Sequence, residues 1–192
     1  MPELIRYMRE RAEEFVILTA SPEVMRKKVE KTLDYHSIPA DQVILRNLGK
    51  DKEKLTYKVN KITAMMESND DDYILMGDDV GQDPEAYAEI KKRFGDRVLA
   101  VYIRPMKNRA KFPGQISYIT SYDIARSEYL AGRLSLLDLK DIAYLIKVEK
   151  NKRNIIPKRF YCPTTGSINT GAVPDADSEA QVQTIVAKIC SK

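Results

Sequence analysis

The chain has 192 residues, 43% of them hydrophobic and 31% charged, a balance that supports one large domain with a buried core and excludes global disorder. Its 32 basic and 28 acidic residues leave a formal charge of +4, which permits an anionic partner but does not call for nucleic acid. No apolar run approaches the roughly 20 residues of a membrane-spanning helix, the N-terminus Met1-Pro2-Glu3-Leu4 lacks a secretory apolar stretch, and two cysteines do not make a disulfide scaffold.

These features describe a soluble, cytoplasmic, globular protein. Glu14–Ala20 holds a short continuous apolar run, as in a strand buried on both faces. Ser21 and Pro22 read as the cap and first residue of a helix striped by Met25, Val29 and Leu33. A second strand is Val43-Ile44-Leu45, followed by a helix with Leu55, Val59, Ile62 and Met66 on one face. A third strand at Tyr73–Met76 precedes a helix that opens near Pro84 and buries Tyr87, Ile90 and Phe94, and a fourth strand covers Val98–Ile103. Strand and helix alternate, so right-handed crossovers build an α/β fold with a doubly wound parallel sheet. Such sheets bind ligands beyond the carboxyl ends of their strands, here the loops after Leu18, Met76 and Ile103.

After residue 103 the pattern changes. Ile116–Ile119 reads as an edge strand, and helices are expected over about 123–131 and 136–148, divided by Gly132. A basic link with Lys152, Arg153, Lys158 and Arg159 leads to the polar stretch Thr164–Gly171 and a last amphipathic helix through Val182, Ile185, Val186 and Ile189. The expected organisation is an α/β domain over 1–122, a helical part of it over 123–150 and a C-terminal extension over 151–192. The basic link reads as a solvated linker, with contact to acidic headgroups the alternative. Tyr118, Tyr122 and Tyr129 read as core, the aspartates at Asp175 and Asp177 as a helix cap, and Cys162 as a bystander thiol.

The most informative segment is Tyr73-Ile74-Leu75-Met76-Gly77-Asp78-Asp79-Val80-Gly81-Gln82-Asp83-Pro84-Glu85. Asp78, Asp79 and Asp83 gather at a strand's carboxyl end with no lysine among them, and their mutual repulsion is relieved by a hard cation such as Mg²⁺. Asp79 and Asp83 could instead cap the following helix, but Asp78 stands too early for that. At Leu18-Thr19-Ala20-Ser21-Pro22, a hydroxyl and free backbone N–H groups at a strand end make a phosphate cradle. His36 is the sole histidine and reads as a helix-end residue, which speaks against a Ser-His-Asp triad and leaves no multi-histidine metal site. Lys58, on its own, reads as a solvated surface lysine.

Taken together, Thr-x-Ser-Pro after an apolar strand, a later lysine, and an apolar strand ending in Gly-Asp followed by Asp-Pro-Glu resemble the haloacid-dehalogenase-like hydrolases. More narrowly, the chain is similar over about residues 1–135 to the catalytic domain of the actin-patch-protein-type phosphatidate phosphatases, with the run from Gly77 to Arg104 the specific part of that similarity. The resemblance implies a Rossmann-like fold and a Mg²⁺-dependent phosphatase acting on a phosphorylated small molecule or lipid, at the membrane periphery if the substrate is phosphatidate. It assigns Thr19 and Lys58 to catalysis, Thr19, Ala20 and Lys58 to the phosphate, and Asp78 with Asp83 or Asp79 to the metal. In such enzymes a strand-borne aspartate attacks phosphorus, and a second aspartate two residues on protonates the leaving oxygen and then activates water.

That attacking motif, Asp-x-Asp-x-Thr at the end of an apolar strand, is not found here. No aspartate precedes Asp34, Asp70–Asp72 is a polar turn, and Asp175-Ala176-Asp177 does not follow an apolar strand. The expectation is that a preceding segment or a separate chain supplies the central strand and nucleophile, and that without it the sheet carries a gap. The competing expectation is a non-catalytic binding module on the same fold.

Overall fold

The computed structural model describes residues 2–109, 112–157, 162 and 172–191. The chain forms two compact units, one of residues 1–12 with 118–192 and the other of residues 13–117. These units do not coincide with the division expected at 122 and 150.

All pairing in the second unit is parallel, as the alternation of strands and helices predicts. Its elements are β1 (Val16–Pro22), α2 (Arg26–Tyr35), β2 (Gln42–Arg46), α3 (Lys54–Ser68), β3 (Tyr73–Asp78), α4 (Asp83–Phe94), β4 (Val98–Arg104) and β5 (Gln115–Ser117), with α1 (Pro2–Arg9) in the other unit. The strands form two sheets, β1-β2 and β3-β4-β5. In the first, Val16 lies opposite Gln42 and Leu18 opposite Ile44, and the register slips before Pro22 meets Arg46. In the second, Ile74 through Asp78 run opposite Ala100 through Arg104. No strand ladder joins β1 to β3 among the described residues.

The core of this unit lies against β3 and β4. Val59, Ile62 and Met66 of α3, Leu75, Ala86, Tyr87 and Ile90 of β3 and α4, and Val98, Val101 and Ile103 of β4 form one buried cluster. These are the stripes that helical and strand periodicity mark. Two anchors fix α4: the Tyr87 hydroxyl donates to the Met76 carbonyl at 3.0 Å and Lys91 Nζ to the Val98 carbonyl at 2.7 Å.

The first strand differs from expectation. Every residue of β1 is only half-buried, and among the described residues one of its edges carries no partner strand. The strand runs on to Pro22, a short 3₁₀ turn at Glu23–Met25 follows, and α2 begins at Arg26 with no side-chain cap. Ser21 therefore caps no helix: its N–H donates to Thr19 Oγ1 at 3.1 Å, and the Thr19 hydroxyl donates back to Ser21 Oγ at 3.0 Å. His36 does close α2, as expected.

The other unit is helical: α1, α5 (Ser121–Leu130), α6 (Leu136–Val148), the short α7 (Lys152–Ile155) and α8 (Ala176–Cys190). Leu4, Tyr122, Ile124, Leu139 and Ile142 are among its fully buried side chains. Capping boxes at Thr120/Asp123 and Ser135/Asp138 start α5 and α6, Gly132 takes the positive φ of 74° between them, and Asp175 caps α8. Part of the basic link is helix α7, with Ile155 and Ile156 buried behind it; Lys158, Arg159 and Thr164–Gly171 lie outside the described residues. Cys162 is not a bystander: it forms a disulfide with Cys190, a pairing that spacing alone does not reveal. No helix among the described residues is long and apolar enough to cross a membrane.

Candidate functional site

The carboxyl end of β3 collects the acidic residues that the sequence marks. Gly77 and Asp78 close the strand, Asp79 follows, and Asp83 opens α4 with Pro84 next to it. Gly77 has a steric reason: a Cβ there would lie 2.7 Å from the Asp83 Cβ, closer than side-chain atoms pack. The missing side chain lets the Asp83 carboxylate fold back over the strand, where its Oδ2 accepts from the Asp78 N–H at 3.3 Å.

Lys58 is not a solvated surface lysine. It is 8% exposed, Asp83 is 9% exposed, and Lys58 Nζ donates to Asp83 Oδ1. A buried ammonium is tolerable only with such a partner, and α3 brings it there because Val59 and Ile62 on the neighbouring faces enter the core. The structure thus brings together Asp78, Asp83 and Lys58, which are separated in sequence by up to a helix and a strand.

Asp79 takes another role. It is 2% exposed, and its carboxylate accepts from the backbone N–H groups of Met106 at 2.6 Å, Lys107 at 2.7 Å and Arg109 at 2.9 Å. Burial pushes its pKa up, but these bonds and the Arg109 charge outweigh burial and hold it below the ordinary value. Both oxygens are committed to the loop after β4, so of the two acids left open beside Asp78, Asp83 is the one that faces the lysine and the strand end. Asp78 keeps one oxygen on the Val80 N–H at 2.9 Å; the other has no partner among the described residues.

Arg109 was not singled out from the sequence, although the loop after Ile103 was. Its guanidinium donates to the Gly81 carbonyl at 2.7 Å and pairs with Glu85. It ties the β3–α4 turn to the loop after β4, and the only signal for it was a basic run at a strand's carboxyl end. Thr19 and Ala20 lie at the carboxyl end of β1, half-buried, on the irregular stretch before Pro22. No hydrogen bond joins them to Asp78, Asp83 or Lys58 among the described residues.

The donor set suits a hard cation. Mg²⁺ takes one or two carboxylates and fills its shell with water and substrate oxygens, and Asp78 offers an open carboxylate oxygen beside the buried Asp83. No group of three or more His, Cys, Asp or Glu side chains placed to hold a metal occurs among the described residues, so a site here needs oxygens from elsewhere. A phosphate group or a further carboxylate supplies them.

No curated protein and no solved structure matches the chain. A family profile described as "Phosphatidate phosphatase APP1, catalytic domain" matches residues 1–105, a span that takes in Thr19, Lys58 and the whole turn from Gly77 to Glu85. The chain belongs to the family of phosphatidate phosphatase catalytic domains of the APP1 type.

Proposed function

We propose that this chain forms the phosphate- and metal-holding half of a Mg²⁺-dependent phosphatase site, which hydrolyses phosphatidate or a related phosphomonoester through an aspartyl-phosphate. The observation that carries the reading is the Lys58–Asp83 pair beside Asp78 at the carboxyl end of a parallel strand, together with the family match. Asp78, with Asp83 behind it, would hold Mg²⁺, whose charge would stabilise the transferring phosphoryl oxygens. Lys58 neutralises charge on Asp83 and on the phosphate, and the Thr19 hydroxyl with the Ala20 N–H binds a phosphate oxygen. Asp79 and Arg109 keep the loops around the turn in place.

The attacking aspartate would come from a strand outside these 192 residues. Two features support this: no Asp-x-Asp follows an apolar run in the sequence, and among the described residues β1 and β3 share no ladder, where one further parallel strand would join the two sheets. In the first step a carboxylate oxygen of that strand bonds to phosphorus while the bond from phosphorus to the alcohol oxygen breaks, and that oxygen takes a proton. Water then cleaves the acyl phosphate, releasing phosphate and restoring the carboxylate. The absence of the motif from the chain also favours a second reading, a non-catalytic phosphate-binding module.

The test is phosphate release from phosphatidate in mixed micelles by the native protein taken from its source, with its intact mass measured alongside. Expected are Mg²⁺-dependent release, a mass above 22.0 kDa with an Asp-x-Asp strand in the added part, and loss of release in Asp78→Asn. No release by a protein of that larger mass, or release that Asp78→Asn leaves intact, sinks the phosphatase reading. A mass of 22.0 kDa with no release selects the binding module.

A further inference from the structure

At the carboxyl end of β2 the structure holds a charge without a counter-charge. Arg46 is 9% exposed. Its one hydrogen bond runs from Nη1 to the Lys52 carbonyl at a long 3.4 Å, its Nε is buried with no partner, and among the described residues no carboxylate lies within 4.0 Å of its nitrogens. Tyr57, at the start of α3, is 2% exposed and its hydroxyl is also buried without a partner. Two orphaned donors of this kind are expensive, because a buried polar group without a partner carries the full cost of losing its water, and a charged one more so.

The two groups meet the same short piece of chain: Arg46 Nη1 donates to the Lys52 carbonyl, and the Tyr57 N–H donates to the carbonyl of the next residue, Glu53, at 3.0 Å. Burial, with Asp51 and Glu23 adding to it, pushes the Tyr57 hydroxyl up to about 12, and the Arg46 charge works against that rise. The hydroxyl therefore stays protonated and able to donate. Of the nearby acids, Glu23 pairs with Arg26 at 2.6 Å, and Asp51 accepts from the Asn47 N–H at 3.0 Å and lies beyond 4.0 Å from the Arg46 nitrogens. The largely exposed loop from Asn47 to Glu53 follows Arg46 in the chain, and Lys52 is its one hydrogen-bond partner for the guanidinium. Arg46 also lies opposite Pro22 in the sheet register, so this place borders the Thr19–Ser21 stretch at the end of the sheet where parallel α/β folds bind ligands.

We propose that Arg46 and Tyr57 form a second oxyanion-binding site, separate from the Lys58–Asp83 pair, that takes a phosphate-type group. The guanidinium edge of Nε–H and Nη–H matches two oxygens of such a group, the Tyr57 hydroxyl donates to a third, and the ligand replaces the long Lys52 contact. The site stands apart from the phosphatase reading, because it is argued from these two donors alone.

The test follows the Arg46 Nε–H resonance of the protein in ¹H–¹⁵N spectra, assigned by its absence in Arg46→Met, during titration with inorganic phosphate and with a soluble short-chain phosphatidate. Expected is a saturable shift that Tyr57→Phe weakens several-fold while the thermal midpoint stays close to that of the parent. A much lower half-saturation for phosphatidate assigns the site to a lipid headgroup, and equal values assign it to the free anion. An Nε–H that neither ligand moves in the folded protein overturns the proposal. So does an Nε–H that responds only to Asp51→Asn, which makes Asp51 the counter-charge.

Discussion

The two sheets of the α/β unit end in very different surroundings. Around β3, helix α4 buries Asp83, Pro84, Ala86, Tyr87 and Ile90, Asp79 and Asp83 have donors on both carboxylate oxygens, and Arg109 ties the neighbouring loop down. Around β1, helix α2 buries no residue, the strand is half-buried throughout, and Arg46 and Tyr57 hold donors without acceptors. The comparison separates what the chain can organise alone from what it holds ready for something else. The β3 end is well packed, with most of its buried charges partnered, whereas the β1–β2 end has unmet hydrogen-bonding and packing capacity. That is the arrangement expected where a ligand or a further strand completes the structure.

This contrast can be broken by substitution. The largest effect is expected for Lys58→Met, which leaves the Asp83 carboxylate buried without its cation and should lower unfolding free energy by about 3–5 kcal/mol, read by urea denaturation; the double variant with Asp83→Asn should recover part of that loss. Ile90→Ala, at a position of zero exposure, should cost about 2–5 kcal/mol in the same measurement.

Asp79→Ala comes next, at roughly 2–3 kcal/mol, since several backbone N–H groups lose their acceptor. Asp79 also leaves a signature in pH. Its carboxyl is held below the ordinary value, so its contribution is fully present above the ordinary carboxylate range and disappears as pH falls through the lowered value. The stability of Asp79→Asn should therefore fall less than that of the parent on acidification over that window. An equal fall in both proteins would show that the bonds to the loop after β4 do not stabilise the charged form.

Gly77→Ala should cost about 1–3 kcal/mol as Asp83 is pushed aside. The smallest effect is expected on the other side of the comparison. Leu33→Ala on α2, where nothing is buried, should stay below about 1 kcal/mol. If Leu33→Ala matched Ile90→Ala, the two ends would be equally well packed and the contrast would fail.

Much of this was legible in the residues. The strands at Val43–Leu45, Tyr73–Met76 and Val98–Ile103 and the stripe Leu55, Val59, Ile62 and Met66 follow from period and apolar content, because each serves one buried face. The Gly77–Glu85 turn stood out because acids concentrated at a strand end are rare without a use. The role of Asp79 was not legible, since its partners are backbone N–H groups some thirty residues away and backbone groups leave no mark in a sequence. Lys58 looks like any helix-surface lysine until its face is known to be the one that turns towards Asp83. The same limit applies at Ser21, where a local bond to Thr19 competes with the cap that its position before a proline suggests.

The sequence by itself determined the local elements, the parallel α/β class and the acidic turn, because these depend on contacts between near neighbours and on the alternation of apolar and polar positions. Tertiary structure alone decided which acid faces Lys58, which acid anchors a loop, that Cys162 pairs with Cys190, and that the strands divide into two sheets. Each of those outcomes depends on groups distant in the chain meeting in space, and burial then sets the energy of the meeting: it makes an ion pair obligatory at Asp83 and leaves Arg46 with a charge still to be matched.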